Sequence, residues 1–220
     1  EDLVLWTYTV PESVSGPGSG ADTGVQTAPV MDPDEEVYTA CVTGLRDYME
    51  KNRFTGVVLG LSGGIDSALV AAMAADACGG GNVWGLSMPS MYSSDGSKDD
   101  AADLASRIHA HYEIQPIEPL FKVFEGQTGV DGVAAENLQA RIRGVLVMAY
   151  SNSKGLLALA TGNKSELACG YSTIYGDAVG GYAPIKDILK TKVWKLARWR
   201  NNAARRRGEV PPIPENSITK

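Results

Sequence analysis

The sequence predicts an α/β protein built as a doubly wound parallel sheet, and three observations predict it. Short apolar, β-prone runs recur over residues 57–61, 82–88, 113–117 and 156–160. Longer segments with apolar residues at helical spacing lie between them, which is the alternation of parallel crossover units. The first run, Val57-Val58-Leu59-Gly60-Leu61, breaks at Ser62-Gly63-Gly64 into an Ala-rich helical stretch. Open α/β sheets bind ligands at such strand-to-helix turns.

Residues 1–10 contain the apolar run Leu3-Val4-Leu5-Trp6-Thr7-Tyr8-Thr9-Val10, and residues 11–30 are rich in Gly, Ser, Pro and Thr and read as linker. A strand-like fragment ahead of a linker reads as the tail of an upstream domain, so residues 1–31 are set apart from 32–220. Asp32-Pro33-Asp34-Glu35-Glu36 opens a helix to about residue 52. Acidic residues suit the positive end of its dipole, and Val37, Cys41, Leu45, Tyr48 and Met49 recur along one face. The strand over 57–61 leads into a helix over 66–78, ended by Gly79-Gly80-Gly81 acting as cap and turn. A strand over 82–88, a helix over 97–111 and a strand over 113–117 follow. A long helix over 134–150, a fourth strand over 156–160 and a late helix over 188–200 complete the set.

At 220 residues, 44% hydrophobic and 21% charged, the chain suits one globular domain plus an appendage. A net charge of −6 argues against a protein whose main task is to hold nucleic acid. Cys41, Cys78 and Cys169 are odd in number, widely spaced and without a CxxC pair, so a disulfide framework or zinc site is not expected. There is no charged-then-apolar leader and no run of about 18 apolar residues, so no membrane partner is expected and a reduced, cytoplasmic compartment fits. His109 and His111, two apart on the expected helix, face apart and suggest no metal. Arg198, Arg200 and Arg205-Arg206-Arg207 read as cations at a helix C-terminus, Trp194 and Trp199 as core or interface anchors, and Cys169 as a small buried residue.

The turn carries the chemistry. A helix N-terminus presents backbone N–H groups and partial positive charge, and Gly63-Gly64 lets that backbone approach an anion closely. Ser62 and Ser67 add hydroxyls, and Asp66 supplies a carboxylate where a Mg²⁺ bridging phosphates would sit. The pattern GxxxxGK[ST] is absent, which excludes the loop of γ-phosphate-hydrolysing NTPases. The plainer alternative is that Ser-Gly-Gly only turns the chain and Asp66 only caps a helix.

On Ser62-Gly63-Gly64-Ile65-Asp66-Ser67 the chain resembles the SGGxDS pyrophosphate loop of the N-type ATP pyrophosphatases, which include NAD synthetase, GMP synthetase, asparagine synthetase and tRNA-thiolating enzymes. The resemblance implies the Rossmann-like fold of the adenine nucleotide alpha hydrolases. It also implies ATP and Mg²⁺, transfer of AMP to an acid, release of pyrophosphate, and displacement of AMP by a nitrogen or sulfur nucleophile.

Three downstream stretches are similar to glutamine-dependent NAD synthetases. Glu136-Asn137-Leu138-Gln139-Ala140-Arg141 resembles the family's segment for the nicotinate dinucleotide, which implicates Asn137 and Arg141 in binding deamido-NAD. Thr161-Gly162-Asn163-Lys164-Ser165-Glu166 matches the family's TGNKSE, implying that Thr161 binds ATP and that Glu166 joins Asp66 on the metal and borders deamido-NAD. The stretch from Tyr171 to Pro184 resembles the family's GDxxGG loop over the nicotinate. Asp177 is implied to guide or deprotonate ammonia, and Tyr171, Ser172, Thr173 and Ile174 to line the substrate. Lys190 lies where the family has a phosphate-binding lysine, and Met88, opening Met88-Pro89-Ser90-Met91-Tyr92-Ser93-Ser94, where it offers backbone to the adenine. The implied partners are deamido-NAD and ammonia, a glutaminase domain upstream in the same protein, and a second copy in a dimeric core. The implied synthetase domain covers 32–220 and is C-terminally incomplete, with residues 211–220 implied to start a loop that the family continues into an ordering lid. GMP synthetase and a non-catalytic ATP-binding module stand as rival readings. The first lacks a use for the segments around Asn137 and Thr161, the second for two carboxylates.

Overall fold

The computed structural model describes residues 30–90 and 95–219, with only the backbone of Asp95. The strand-like run over 1–10, nearly all of the expected linker, and Met91 to Ser94 lie outside the described residues. The chain divides into two units, Glu1–Asp32 and Pro33–Lys220, and every helix and strand assigned among the described residues belongs to the second.

Among the described residues four parallel strands, β1 (Val57–Gly60), β2 (Val83–Ser87), β3 (His111–Ile114) and β4 (Leu157–Ala158), form one sheet in the order β3-β2-β1-β4. Val57 pairs with Val83 on one side and Leu157 on the other. Successive side chains of a strand point to opposite faces, so β1 feeds two cores. Val57 and Leu59 join the cluster built on α1 (Pro33–Asn52), α2 (Ile65–Cys78) and α7 (Lys190–Arg206), whereas Val58 joins Phe121 of α4 (Glu118–Thr128) and Ile142 and Val147 of α5 (Gly132–Lys154). The expected doubly wound α/β fold is therefore the fold observed.

The helix α2 is apolar nearly all round, and eight consecutive residues from Ser67 to Ala74 are buried, because α1 and α7 cover the side that the sheet does not. Arg200 of α7 ties this layer together. Its Nε and Nη2 donate to the two oxygens of Asp76 on α2 at 2.6 and 2.8 Å, and the Tyr38 hydroxyl of α1 donates to Asp76 at 2.6 Å. Burial and the adjacent carboxylate hold the Tyr38 hydroxyl well above its ordinary pKa. Trp199 packs on Tyr38 with ring centroids 5.1 Å apart, and Trp194 also lies against this core.

Several boundaries differ from those the sequence predicts. Helix α3 (Asp95–Arg107) ends four residues early and β3 starts at His111 rather than 113, so the two histidines do not share a helix. His109 takes a left-handed φ of 57° while Ala110 N–H closes back on Ala105 at 2.8 Å, a helix stop made without glycine. His111 stacks on Trp84, centroids 4.4 Å apart. Helix α4 is unpredicted, although Pro119 stands in its first turn and Gly129 ends it with φ 62°. Strand β4 is only two residues long; Leu159 N–H still donates to the Val58 carbonyl of β1 at 2.9 Å, and Leu159 also bridges to Tyr182. The expected loop over 211–220 folds into α8 (Glu215–Thr219), with Ile213 and Ile218 buried in the α2 and α7 layer. Cys169, expected to be buried, is exposed, and all three cysteines are free. No described helix is long and apolar enough to cross a membrane.

Candidate active site at the carboxyl ends of β1 and β4

The sheet order creates the site. The chain runs from β1 outward to β2 and β3, then returns to the other side of β1 for β4, which opens a crevice beyond the carboxyl ends of β1 and β4. The turn after β1 and the segment after β4, a hundred residues apart in sequence, face each other across it. A cavity of about 850 Å³ there is lined by Ser62, Asp66, Ser67, Thr161, Glu166 and Asp177, among others.

Hydroxyls close the turn on itself. Ser67 Oγ donates to the Gly64 carbonyl at 3.0 Å and accepts from Ser62 N–H at 3.3 Å, while Ser62 Oγ accepts from Gly64 N–H at 3.2 Å. Gly63 adopts φ 75°, and its carbonyl accepts from Ser217 Oγ of α8 at 3.2 Å. Gly64 takes extended dihedrals at the N-cap of α2 and contributes no side-chain cap, so no capping oxygen of that residue covers the start of the helix.

Asp66, in the first turn of α2, is held from two directions. One oxygen accepts from Asn163 Nδ2 at 2.8 Å, and the other is ion-paired with the Lys190 ammonium at the start of α7. Lys190 is steered by its own N–H, which donates to Ser165 Oγ at 3.0 Å, and its ammonium lies 5.1 Å from the centre of the Trp194 ring. Glu166 sits at the third position of the short helix α6 (Lys164–Cys169), where its carboxylate accepts from Asn163 N–H at 3.0 Å and its own N–H donates to Asn163 Oδ1 at 3.1 Å. This reciprocal cap gives Glu166 a structural part, and residue 166 lines the cavity as well.

The loop after α6 is braced on α5. Asn137 Oδ1 accepts from Thr173 Oγ1 at 2.8 Å, and Arg141 Nε donates to the Ile174 carbonyl at 3.2 Å. Asp177 accepts from Thr173 N–H at 2.6 Å, the turn-forming role open to an Asp in such a loop. Beyond it, Gly181 N–H donates to Ala158 at 2.8 Å and Ala160 N–H to Tyr182 at 2.9 Å, so the loop runs beside β4. Asn137, Arg141, Tyr171, Thr173 and Ile174 do not line the cavity, whereas Ser172 and Asp177 do. Tyr171 and Ile174 are 80% and 68% exposed, an open face rather than a pocket wall.

A second cavity, about 420 Å³, lies past the end of β2, lined by Ser62, Met88, Lys98, Arg143, Thr161 and Asp177 among others. Arg143 has no assignment in the sequence reading. Its Nε donates to the Met88 carbonyl at 3.1 Å, so that backbone acceptor is already engaged. Burial pulls the Arg143 guanidinium below its ordinary pKa, and the charge of Asp177 opposes the shift. Two residues from Arg141, it points to another side of α5, which is why a pattern read on one helical face passes over it. Asn163 is likewise missed, although Asn163-x-x-Glu166 is a capping-box spacing.

Among the described residues no group of three or more His, Cys, Asp or Glu side chains could hold a metal by itself. Two carboxylates on one cavity do suit a hard cation that completes its shell with phosphate oxygens and water.

Residues 37–220 match the sequence family described as NAD synthase. The chain is 51% identical over 190 residues to a glutamine-dependent NAD(+) synthetase of Rhodobacter capsulatus, covering 81% of this chain and 34% of that protein. Among solved structures it is similar to a glutamine-dependent NAD+ synthetase from Acinetobacter baumannii in complex with adenosine diphosphate. That match has a TM-score of 0.85 and 45% identity, over 89% of this chain and 38% of the other. An NH3-dependent NAD synthetase from Campylobacter jejuni superposes with a TM-score of 0.77 and 35% identity, over 87% of this chain and 78% of the other. The chain spans about a third of the length of the curated relatives it matches.

Proposed function

The chain belongs to the NAD synthase family, and from that premise we propose that it carries out the ATP-dependent amidation of deamido-NAD to NAD. The observation that carries the reading is the convergence of residues 62–67 and 161–166 on one cavity at the switch point of the sheet. The nicotinate carboxylate attacks the α-phosphorus of ATP, the bond to the β-phosphate oxygen breaks, and pyrophosphate leaves. Ammonia then attacks the adenylated carbonyl, loses a proton, and expels AMP.

Each group of the site has a part in this. The N–H groups at the start of α2, with the Ser62 and Ser67 hydroxyls, suit the pyrophosphate. Lys190 exchanges its partner from Asp66 to a phosphate oxygen as the nucleotide enters. Asp66 and Glu166 would hold Mg²⁺ together with phosphate oxygens, and the ion would supply neutralisation of charge building on the leaving group. Thr161 lines both cavities and is suited to the nucleotide; Asp177, which also lines both, is suited to accept a proton from the incoming ammonia. Asn137 and Arg141 hold the loop at Thr173 and Ile174 that would present Tyr171 to the dinucleotide. The smaller cavity beside Met88 suits the adenosine.

Ammonia from a glutaminase domain of the same protein is supported by relatives named as glutamine-dependent. A second copy of the chain is supported by α4, where Leu120, Val123 and Phe124 share one helical face and are 42%, 60% and 46% exposed.

The test is to supply Mg-ATP, deamido-NAD and ammonium and to measure NAD and pyrophosphate. Equimolar NAD and pyrophosphate, both lost in Asp66→Ala, support the reading. Adenylation of xanthosine monophosphate instead would reassign the chain to GMP synthesis, and ATP binding without turnover by the full-length protein would make it a binding module.

A further inference from the structure

Asn163 is fully buried, with 0% exposure, yet polar, and each of its hydrogen-bonding groups toward the site is committed. Its Nδ2 donates to Asp66 on α2, its backbone N–H donates to Glu166 on α6, and its Oδ1 accepts from the Glu166 N–H. A capping box needs only the last two bonds. The first reaches 97 residues back in the chain to the carboxylate on the opposite wall of the crevice. An asparagine has one donor end and one acceptor end, and here the two ends serve the two carboxylate-bearing segments.

We propose that Asn163 is a positioning residue that sets the separation and orientation of the Asp66 and Glu166 carboxylates, so that the two segments bearing them act as one divalent-cation and nucleotide site. The proposal rests on the functional reading above. Both carboxylates border the larger cavity, and neither segment is covalently tied to the other near it. Lys190 also bonds Asp66, but its ammonium is a point charge on a flexible stem and does not fix which way the carboxylate plane faces. The Asn163 amide, planar and buried, does. Groups that hold a metal-binding carboxylate in place typically contribute about 10- to 100-fold to metal affinity.

The cap and the tether can be separated by substitution. Asn163→Ser keeps a hydroxyl that can cap α6 but is too short to reach Asp66; Asn163→Ala removes both functions. The measurement is Mn²⁺ binding to the full chain, by electron paramagnetic resonance, with and without saturating α,β-methylene-ATP. Affinity of metal-free α,β-methylene-ATP and the thermal midpoint are recorded alongside. The expected result is that Asn163→Ser weakens nucleotide-dependent Mn²⁺ binding by about 10-fold or more, while metal-free nucleotide affinity stays within about twofold. Asn163→Ser binding Mn²⁺ like the unsubstituted chain, with only a lowered midpoint, would overturn the proposal and leave Asn163 a helix cap. If the unsubstituted chain shows no nucleotide-dependent Mn²⁺ binding, the reading of the cavity as an ATP site fails, and the role of Asn163 with it.

Discussion

The two adjacent glycines of the turn are expected to fail in different ways when given a methyl group. At Gly63 the backbone has φ 75°, a region that costs an alanine roughly 1–2 kcal/mol. A Cβ there would also stand 3.0 Å from both the Cα and the carbonyl carbon of Ser97 and closer still to its oxygen, and backbone of α3 has no flexible end to move aside. Overpacking of that kind costs about 1–3 kcal/mol, so Gly63→Ala should lose about 2–5 kcal/mol. For a domain of this size that lowers the thermal midpoint by roughly 5–15 °C. Gly64 has an ordinary φ of −85°, and its Cβ would meet only Ser62 Oγ, at 3.2 Å. Gly64→Ala should therefore cost no more than about 1 kcal/mol. It would nevertheless put a methyl group where the α2 N–H groups meet an anion. Losing one charge-assisted hydrogen bond should weaken α,β-methylene-ATP binding by at least about 10-fold. Differential scanning fluorimetry and titration calorimetry on both variants check this. Gly63→Ala melting within about 2 °C of the parent, or Gly64→Ala binding the analogue unchanged, would refute the division of labour.

Three further substitutions follow from the geometry. Asp76→Ala leaves the Arg200 side chain, only 12% exposed, without its counter-charge, and should cost about 2–4 kcal/mol in urea unfolding; a loss below about 1 kcal/mol would show the clamp to be incidental. Arg143→Met removes the donor to the Met88 carbonyl and the cation beside Asp177, and should lower the rate of NAD formation by about 10-fold or more. Lysine should not restore it, since it lacks the planar fork; activity within about twofold of the parent would refute this. Burial pushes the Cys78 thiol from 9.0 up to about 11, so iodoacetamide at neutral pH should label exposed Cys169 well before Cys78. The folded chain keeps that proton over a range in which the unfolded chain releases it, so the contribution of Cys78 to stability is complete below pH 9 and is lost as pH rises from 9 to about 11. Urea midpoints across that range should therefore fall less steeply in Cys78→Ala than in the parent.

The strands, α1, α2 and the long helix α5 were legible because each announces itself locally: β1 by an unbroken apolar run, α2 by its alanines and closing glycines, α1 by acids at its start. Helix α3 overran its true end because His109 turns the chain in a left-handed conformation that normally signals glycine. The loop expected over 211–220 came from the resemblance, whereas the burial of Ile213 and Ile218 depends on packing against other helices that no local pattern shows.

The same division holds for the site. Sequence by itself determined the Ser-Gly-Gly turn, its place after a buried strand and the chemistry open to Asp66, while Thr161, Glu166, Asp177 and Lys190 became candidates only through the resemblance of their segments to those of a known family. Only the tertiary structure decided that β4 returns to the far side of β1. That return lets Asn163 reach Asp66, sets Lys190 against the same carboxylate, and turns Arg143 toward Asp177. Those contacts join residues up to 124 positions apart, where no local periodicity extends and only strand order brings the groups within reach.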